Sequence, residues 1–564
     1  MCGIFCEVSY TGSSKLKDES TLRRIQKRGP DCTHSSNIVV NDDIQIFFYG
    51  AVLWMQGLAP FRQPFENDSG IILYNGDIFD ESWDNILCDT QVLMDKLSKN
   101  TSEQQVIQTL RSLKGPFSII FYDKINKNLF FSRDRIGRTS LLCYNDESSF
   151  VLANVLGRNH KCVEVPATHI YKLNIENRKL CIHSWESSEF VEECNIQDWM
   201  QIVQNLQNVP DDEFAFECDT NLDLSGENDI ISHIQTTSLQ HTCKLTIMQA
   251  LLKNDVILKT VQKITELLEK SIKIRLEKHP QRCKTCINNE TLICNHCTVG
   301  VLFSGGLDCT ILALLADKYV PKNQPIDLIN VAFKMTDNAS YDVPDRITGR
   351  QSLNELREKC NTRQWVFREI NVPKEKLQQY QTSTIGDLVY PRHTILDESL
   401  GSALWFAALG EDDIDVSPCR VLLLGSGADE LFGGYVRHRN AFKRNGWTGL
   451  AKELILDWKR ISFRNLARDN RVICDHGRQP RMPYLDEELT EYVLALNPWL
   501  KCFPSENLQC GVGDKLILRL VALNLGLTEV SKLPKRALQF GSKIANKKEK
   551  GSDISKTFSL LKNK

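Results

Sequence analysis

The second residue of the chain is a cysteine, and its position suits nucleophilic chemistry. A small second residue allows an aminopeptidase to remove Met1, which would place the Cys2 thiol beside a free α-amine. That amine, with a pKa of about 7.7–8.0, can take the thiol proton near neutral pH, and the thiolate is the reactive form of cysteine. Cys2 is therefore a candidate nucleophile, and an ordinary buried cysteine is the alternative.

A glycine-rich turn after a buried strand forms a second candidate site, within the segment VLFSGGLDC. Gly305 and Gly306 let backbone N–H groups close on an anion, and the N-terminus of the following helix adds positive potential. Pyrophosphate is the natural ligand of such a turn, and Asp308 can hold magnesium against it. A purely structural turn is the alternative. A second glycine-rich turn at 425–435 also follows a strand and carries Asp429, which favours the nucleotide interpretation.

Two CxxC pairs, separated by seven residues, precede the first of these strands. The pairs are Cys283 with Cys286 and Cys294 with Cys297. Four thiolates at this spacing suit a tetrahedral zinc ion. Four free thiols in an exposed insertion are the alternative.

The elements that must position these residues fall into two classes. Over the first 180 residues, short apolar runs alternate with turn residues, which predicts stacked antiparallel sheets. Later strands at 299–303, 328–333 and 420–424 alternate with helices that begin at Cys309 and near Asp345. Strands separated by helices predict a doubly wound α/β domain, a parallel sheet with helices on both faces.

A length of 564 residues allows two to four domains at about 100–200 residues each. The segment 180–243 contains no lysine or arginine, which indicates an exposed acidic connector, whereas 256–276 has helical apolar spacing. We therefore divide the chain into an antiparallel domain at 2–184, an acidic connector at 185–250, a helical lead-in at 251–284, a parallel-sheet domain at 285–545 and a basic tail at 546–564.

Composition excludes several classes of function. A net charge of −2 argues against general electrostatic binding of nucleic acid or of an anionic membrane. No apolar run approaches the ~18 residues of a membrane span, and the N-terminus has no basic region followed by an apolar one. Twenty cysteines in 564 residues are too few for a disulfide scaffold. These features predict a cytoplasmic protein with reduced thiols.

Five N-terminal segments stand out, namely Met1-Cys2-Gly3-Ile4-Phe5, Arg28-Gly29-Pro30-Asp31, Gln63-Pro64, Asn75-Gly76-Asp77 and Ser132-Arg133-Asp134-Arg135-Ile136-Gly137. In order and spacing they resemble the glutaminase domain of asparagine synthetases, a class II amidotransferase of the N-terminal-nucleophile type. The resemblance implies that Cys2 attacks the glutamine amide and that Asn75 and the Gly76 N–H form the oxyanion hole. It also implies that Asp89 holds the glutamine ammonium and that Asp77 binds substrate.

Two positions depart from the glutaminase pattern. The family places an arginine that clamps the glutamine carboxylate where this chain has Val52. An apolar side chain cannot form a bidentate ion pair. Asp77 is one methylene shorter than the glutamate of the family. The residues that cleave the amide are thus present, but the substrate clamp is missing.

The region 285–545 resembles the ATP-pyrophosphatase domain of asparagine synthetases, and the chain looks most like the divergent group called asparagine synthetase domain-containing proteins. The two glycine-rich turns carry this resemblance, together with Arg481–Asp486 and Pro534-Lys535-Arg536. In the parent family, ATP adenylates the β-carboxylate of aspartate, and ammonia from glutamine then displaces AMP. The resemblance implies magnesium on Asp308 and Asp429, a catalytic Lys535, and nucleotide contacts from Leu302, Ser304, Gly305, Gly306, Phe333, Gly425 and Ser426.

Three residues in this region also depart from the family. Ser426 stands where the family has a glutamate that can act as a base, and serine has no useful basicity at pH 7. Cys309 replaces a serine of the pyrophosphate turn, and Gln479 replaces a glutamate near the aspartate pocket. Asp345 and Arg350 match a polar pair of the family, with a surface ion pair as the alternative.

Two hypotheses follow from the sequence. The first is a glutamine-hydrolysing, ATP-dependent ligase of the asparagine synthetase type, with glutamine, aspartate, ATP and magnesium as its small-molecule partners. The second is a catalytically degraded homologue that serves as a nucleotide-binding scaffold or regulatory protein. Val52, Ser426 and Gln479 favour the second hypothesis, whereas the retained nucleophile and carboxylates favour the first.

Overall fold

The protein is described here by a computed structural model that covers residues 2–12, 19–80, 83, 86–100, 102–186, 190–208, 227–289, 294–506, 508, 511–545 and 550–559. Its N-terminal elements are β1 (Gly3–Ser9), α1 (Glu19–Arg28), β2 (Cys32–Val39), β3 (Gln45–Val52), β4 (Phe65–Glu66), β5 (Gly70–Gly76), α2 (Asp89–Ser98), α3 (Glu103–Arg111), β6 (Phe117–Asp123), β7 (Asn128–Arg133), β8 (Leu142–Asn145), β9 (Ser149–Ala153), β10 (Val163–Glu164), β11 (His169–Asn174), β12 (Lys179–Ser184), β13 (Phe190–Asn195) and α4 (Ile196–Asn208).

Two antiparallel sheets form this N-terminal half, as the sequence predicts. The first has the order β10-β8-β9-β1-β3-β2, and the second has the order β13-β12-β11-β7-β6-β5-β4. Alternate residues of the strands from both sheets meet in one buried apolar cluster, which includes Ile4, Phe48, Leu73 and Ile120. The opposite face of the second sheet packs against α2 and α3 through residues such as Tyr74. This sandwich places Cys2 directly before a central strand, β1.

The C-terminal elements begin with a helical region. They are α5 (Glu227–Gln240), α6 (Lys244–Leu251), α7 (Asp255–Glu277), β14 (Val299–Leu302), α8 (Leu307–Ala316), β15 (Ile326–Lys334), α9 (Pro344–Lys359), β16 (Trp365–Pro373), α10 (Lys374–Tyr380), α11 (Gly386–Val389), α12 (Ile395–Leu409), β17 (Val421–Leu423), α13 (Ala428–Phe432), α14 (Val436–Ile461), α15 (Ala467–Cys474), β18 (Gln479–Arg481), α16 (Glu487–Ala495), α17 (Pro498–Lys501), α18 (Leu516–Asn524), α19 (Leu538–Gly541) and α20 (Lys556–Ser559). Single π-helical turns at Gln381–Ile385 and Ser462–Leu466 and 3-10 turns at Pro483–Leu485 and Val530–Lys532 complete the set.

A parallel sheet of five strands organises this half, with the order β16-β15-β14-β17-β18. All four neighbouring pairs are parallel, and apolar helices cover both faces of the sheet. The strand order reverses between β14 and β17. Ligands of such sheets bind beyond the carboxyl ends of the strands at this reversal. The two glycine-rich turns that the sequence singles out follow these two strands.

The acidic connector is more ordered than the sequence predicts over the part that the structure describes. Its β13 extends the second antiparallel sheet, and Trp199 and Val203 of α4 are buried in the N-terminal core. Ile234 of α5 and Met248 of α6 are buried in the C-terminal core. Much of the segment that we predicted to be exposed is therefore packed against the two halves. The prediction rested on the net charge of the segment, but its helices also carry apolar residues that are buried. Residues 209–226 lie outside the described residues.

The two halves are joined by buried ion pairs. Arg138 lies between Asp134 of its own half and Glu487 of the other, with N–O distances of 3.0 and 2.5 Å. Asp31 lies 2.5 Å from Arg420 on the turn before β17. A buried ion pair offsets the cost of desolvating its charges only when the two groups are well aligned. These pairs therefore favour one orientation of the two halves.

Part of the predicted basic tail is docked against the C-terminal half. The backbone of Ile554 bridges that of Thr394, and the Ser555 N–H donates to the carbonyl of His393. The Ser555 hydroxyl donates to Glu398 near the start of α12. Among the described residues, we find no helix that is both long enough and apolar enough to cross a bilayer.

Candidate functional site

The candidate nucleophile Cys2 is buried, with 7% of its surface exposed. The Gln63 side-chain amide donates to the Cys2 Sγ at 3.7 Å and to the Thr90 hydroxyl at 3.0 Å. The Gln63 carbonyl accepts from the Tyr74 N–H at 2.7 Å, so this side chain is held in place from both ends. Burial raises the pKa of Cys2 to about 11, and the chain terminus lowers it less. The thiol is therefore protonated at neutral pH in this arrangement.

The two predicted oxyanion donors end strand β5. Asn75 is fully buried, and its amide donates to the Ser118 hydroxyl at 3.1 Å. The Asn75 Oδ1 has no hydrogen-bond partner among the described residues. Gly76 is required here because a Cβ atom at this position would lie 2.2 Å from the carbonyl oxygen of Pro116. Asn75 is thus rigidly placed, and the second N–H of its amide remains available to an oxyanion.

The two predicted substrate carboxylates have different environments. Asp89 begins α2, and burial, followed by the charge of Asp77, raises its pKa to about 7. Asp77 is fully buried and accepts from the amide of Gln56 at 3.1 Å. It also lies 3.2 Å from Arg481, a residue of the other half. Asp77 is therefore engaged in the interface between the halves.

Gln479, which the resemblance puts near the aspartate pocket, lies at the interface between the halves. Its side-chain amide donates to Asp77. The physical reason lies in the sheet, because β18 is its edge strand and faces the N-terminal half. Val52, the residue in place of the glutamine clamp, is buried in the same apolar cluster as Cys2. Val52, the first departure from the glutaminase pattern, is thus an apolar packing residue.

The second candidate site lies at the strand reversal. Gly305 has φ +75°, and a Cβ atom there would lie 2.5 Å from the backbone of Gly349. A Cβ atom at Gly425 would lie 2.9 Å from that of Asp308. Gly305 therefore allows the turn after β14 to approach α9, and Gly425 allows the turns after β14 and β17 to approach each other. This approach brings Asp308 and Asp429, which are far apart in the sequence, to one place.

A buried lysine that the sequence analysis missed connects the two carboxylates. The Nζ atom of Lys515 lies 2.6 Å from Asp308 Oδ2 and 2.6 Å from Asp429 Oδ1. Lys535 pairs with the other oxygen of Asp429. Although burial opposes ionisation, the two ammonium groups hold the pKa of Asp429 well below its usual range. The sequence did offer a signal for Lys515, because this lysine directly precedes the apolar residues of α18. A cation that is buried with such a helix needs an anionic partner.

Two cavities meet at this cluster. One, of about 240 Å³, has an apolar end lined by Leu302, Val331 and Gly425. The other, of about 490 Å³, is lined by four basic side chains, Lys515, Arg519, Lys535 and Arg536. Ser304, Gly306, Asp308 and Asp345 line both cavities. The apolar end of the first cavity could take the base of a nucleotide, and the basic lining of the second could take its phosphates.

Phe333 lies outside the lining of these cavities, contrary to expectation. It is buried on the same face of β15 as Val331, two residues further on, and its ring packs 6.0 Å from that of Phe406. Because residues two apart in a strand share a face of the sheet, Phe333 and Val331 lie on the same face of β15. The resemblance points to Phe333, but Val331 is the residue of that face that lines the cavity. Val331 takes the expected place in the cavity.

Asp345 and Arg350 are separated. Asp345 is buried between the two cavities, and burial raises its pKa to about 7. Arg350 is half exposed and binds Asp342 at 2.6 Å and Glu369 at 2.8 Å. Arg350 therefore forms surface ion pairs, which is the alternative given for it in the sequence. Asp345 instead faces the candidate site.

Ser426 lines the cavity of about 240 Å³, where the family has a glutamate. The same cavity is lined by Glu430, which the sequence analysis missed. Burial and the neighbouring charge of Asp429 raise the pKa of Glu430 to about 7. Its carboxylate accepts from the Tyr435 hydroxyl at 2.6 Å and from the Asn465 amide at 3.3 Å. A carboxyl group that titrates near neutral pH is thus available close to the missing base.

The CxxC cysteines do not all come together. Cys283, Cys286 and Cys294 cluster with His296, which the sequence analysis did not select. Cys297 points elsewhere, and its thiol donates to the carbonyl of Val299 at 3.0 Å. The physical reason is that Cys297 lies two residues before β14, where the chain becomes extended and successive side chains point in opposite directions.

Comparisons with known proteins agree with this division into two halves. The glutamine amidotransferase domain model matches residues 1–157, and the asparagine synthase model matches residues 295–449 and 442–550. An asparagine synthetase domain-containing protein of Drosophila melanogaster is 38% identical over 98% of this chain and 99% of its own length. Asparagine synthetase domain-containing protein 1 of Homo sapiens is 33% identical over 98% of this chain and 97% of its own. A relative of the same description from Saccharomyces cerevisiae is 26% identical over 89% and 85%.

Proposed function

This chain belongs to the family of asparagine synthetase domain-containing proteins, and from that premise we propose that it is an ATP-dependent amidotransferase. Its C-terminal half activates a carboxylate substrate with ATP, and its N-terminal half supplies ammonia from glutamine. The observation that carries this proposal is the convergence of Asp308, Asp429, Lys515 and Lys535 where the two cavities meet. Aspartate is the carboxylate that the family name suggests.

Magnesium fits the carboxylate pair. Asp308 and Asp429 each lie 2.6 Å from one ammonium group, so a single cation can already contact both. Carboxylate oxygens are the ligands that magnesium prefers. When bound with ATP, magnesium would neutralise charge on the phosphoryl groups. Lys515 would then shift from the carboxylates toward the phosphates.

The chain's own residues account for nucleotide binding. The turn at Ser304 and Gly306 would bind the phosphates through its backbone N–H groups, and the N-terminus of α8 would add positive potential. Leu302 and Val331 offer an apolar surface to the base. Lys535 stabilises the charge that develops as pyrophosphate leaves.

Glutamine hydrolysis is proposed to be slow. The Cys2 thiol attacks the amide carbon, the ammonia leaves, and water then cleaves the thioester to give glutamate. Cys2 is buried with a raised pKa, and Val52 cannot bind the carboxylate of glutamine. Losing one partner of such a charge pair costs about 2–5 kcal/mol, which is a factor of roughly 30 to several thousand in affinity. Removal of Met1 places an amine beside the thiol, and intact-mass analysis tests that removal.

A thermal-shift titration with magnesium-ATP tests the nucleotide half. We expect a rise in the melting temperature of the full chain, because a ligand that binds only the folded state stabilises it by mass action. Asp308→Asn should abolish the shift, whereas Asp342→Asn, a mostly exposed acid before α9, should leave it unchanged. The absence of a shift in the unmodified chain contradicts ATP binding.

The scaffold hypothesis is the second candidate, and Val52 with Ser426 favours it. An assay for the release of AMP and pyrophosphate distinguishes the amidotransferase hypothesis from the scaffold hypothesis. We expect release with aspartate and ammonia, and slower release with aspartate and glutamine. A chain that shows the magnesium-ATP shift but releases no AMP under either condition is a nucleotide-binding scaffold with respect to aspartate.

A further inference from the structure

A cluster of metal-ligating side chains lies outside both candidate sites, between helix α7 and strand β14. The Sγ atoms of Cys283, Cys286 and Cys294 and a ring nitrogen of His296 all lie within 4.8 Å of one another. We propose that these four residues bind one structural zinc ion. Cys297, the remaining member of the two CxxC pairs, is not a ligand.

The distances match a tetrahedral zinc site. The Nδ1 atom of His296 lies 3.8 Å from the Sγ of Cys283, 3.3 Å from that of Cys286 and 3.9 Å from that of Cys294. Zinc bonds of about 2.3 Å to sulfur and about 2.0–2.1 Å to nitrogen, at tetrahedral angles, separate the two ligand atoms by about 3.6 Å. The observed separations lie on both sides of that value. A single zinc ion therefore fits between the four atoms with small adjustments.

The ligand types favour zinc over other metals. Three thiolates and one imidazole form one of the standard sets for structural zinc, whereas magnesium and calcium take oxygen ligands. All four positions are filled by the protein, which is the closed arrangement of a structural site. Every cysteine among the described residues is free, so the three thiols are not joined as a disulfide.

Backbone and side-chain groups around the cluster support the ligands. The Cys283 N–H donates to the Cys294 Sγ at 3.4 Å, and the Thr285 hydroxyl lies 3.0 Å from the Cys283 Sγ. The Cys286 N–H donates to the Cys283 carbonyl at 3.2 Å, which closes the tight turn that a CxxC pair needs. Such outer contacts orient metal ligands and add to the affinity.

The cluster is isolated from the main cores. Its three cysteines form an apolar cluster of their own, joined by no other buried apolar residue among those described. Three thiols gain little from packing alone, because each is small and the cluster lies beside the exposed His296. A metal ion supplies the missing stabilisation, since binding of structural zinc is coupled to folding.

The position of the cluster points to its purpose. The Gln324 amide donates to the Cys294 carbonyl at 2.9 Å, and its carbonyl accepts from the Thr298 hydroxyl at 2.6 Å. These contacts connect the metal ligands to the start of β14, whose other end carries the turn at Ser304. The zinc ion would anchor the incoming segment of the strand that positions the nucleotide turn.

Metal analysis of the full chain, purified without chelator and without added zinc, tests the proposal. We expect about one zinc ion per chain, a stoichiometry lost in Cys286→Ser and in His296→Ala. Cys297→Ser is the matched control, since it removes the fourth cysteine of the CxxC pairs and should retain the metal. Reconstitution with Co²⁺ should give the absorption of a tetrahedral thiolate site in the unmodified chain and in Cys297→Ser.

His296→Ala keeps the test decisive if the cysteine variants fail to fold, because His296 is exposed and contributes little packing. Release of zinc from the folded, unmodified chain by a thiol reagent gives an independent readout. The proposal is overturned if the chain contains no zinc and gives no cobalt spectrum. It is also overturned if Cys297→Ser loses the metal while His296→Ala keeps it.

Discussion

Three buried carboxyl groups beside the candidate sites, Asp89, Asp345 and Glu430, have pKa values raised to about 7. Burial is the largest cause in each case, because it disfavours the charged form. The unfolded chain ionises such groups near pH 4. The folded protein therefore holds these protons more tightly, and it loses stability as the pH rises from about 4 to about 7.

Asp345→Asn removes a carboxyl group whose ionisation destabilises the folded protein, because the charged form is buried. We expect the variant to gain about 2–3 kcal/mol more stability at pH 8 than at pH 5, relative to the unmodified chain. At pH 8 the folded protein must carry the buried charge, whereas at pH 5 the carboxyl is still protonated. Urea denaturation at both pH values measures the difference. The exposed control Asp342→Asn should show no such dependence, and an equal effect of Asp345→Asn at both values contradicts the assignment.

Glu430 is the candidate base where Ser426 has replaced the glutamate of the family. Under the proposed function, Glu430→Gln should reduce ammonia-dependent AMP release by about 100-fold, within the usual range for removing a general base. Ser426→Ala should change the rate little, because serine is not basic. Both variants should keep the magnesium-ATP thermal shift. An AMP rate that falls in Ser426→Ala but not in Glu430→Gln would assign the role to the serine instead.

At the scale of elements, strand β18 has two functions. It closes the edge of the parallel sheet, and its Gln479 and Arg481 side chains both reach Asp77 at the end of β5. Arg481 also donates to the carbonyl of Lys278 after α7, at 2.8 Å. One short strand thus connects the sheet, the long helix α7 and the candidate glutamine site.

Asp77→Asn should weaken this connection. Both Asp77 and Arg481 have fully buried side chains, so the variant leaves a buried guanidinium without its counter-charge. We expect a loss of about 3–5 kcal/mol in the free energy of unfolding. Glu19→Gln, which breaks a largely exposed pair with Arg23, should cost less than about 0.5 kcal/mol. Similar losses in the two variants would mean that the buried pair contributes no more than a surface pair.

At the scale of the molecule, the two candidate sites belong to different halves that meet through buried charges. Ammonia supplied in solution would bypass the N-terminal half, since it needs no Cys2. Cys2→Ala should therefore abolish glutamine-dependent AMP release and retain the ammonia-dependent rate. Steady-state assays with each nitrogen source measure both. Loss of both activities, with an unchanged melting temperature, would show that Cys2 acts on the C-terminal half and not as the glutamine nucleophile.

The sequence by itself determined the fold class and the family. It also put Asp308 and Asp429 on turns that follow strands of one parallel sheet, and their role toward magnesium stays a prediction. These depend on local patterns, namely apolar periodicity and glycine-rich turns after strands, and parallel strands bring their carboxyl ends together in any such sheet. The cytosolic compartment and the division of the chain into segments stay predictions.

Only the tertiary structure decided which distant side chains meet these residues. Lys515 lies 207 residues from Asp308, and Gln479 lies 402 residues from Asp77, so no local pattern records either contact. His296, and not Cys297, joins Cys283, Cys286 and Cys294 for a related reason. The spacing of the two CxxC pairs shows which cysteines are close along the chain. It does not show where each side chain points, because that direction depends on the path of the backbone into β14.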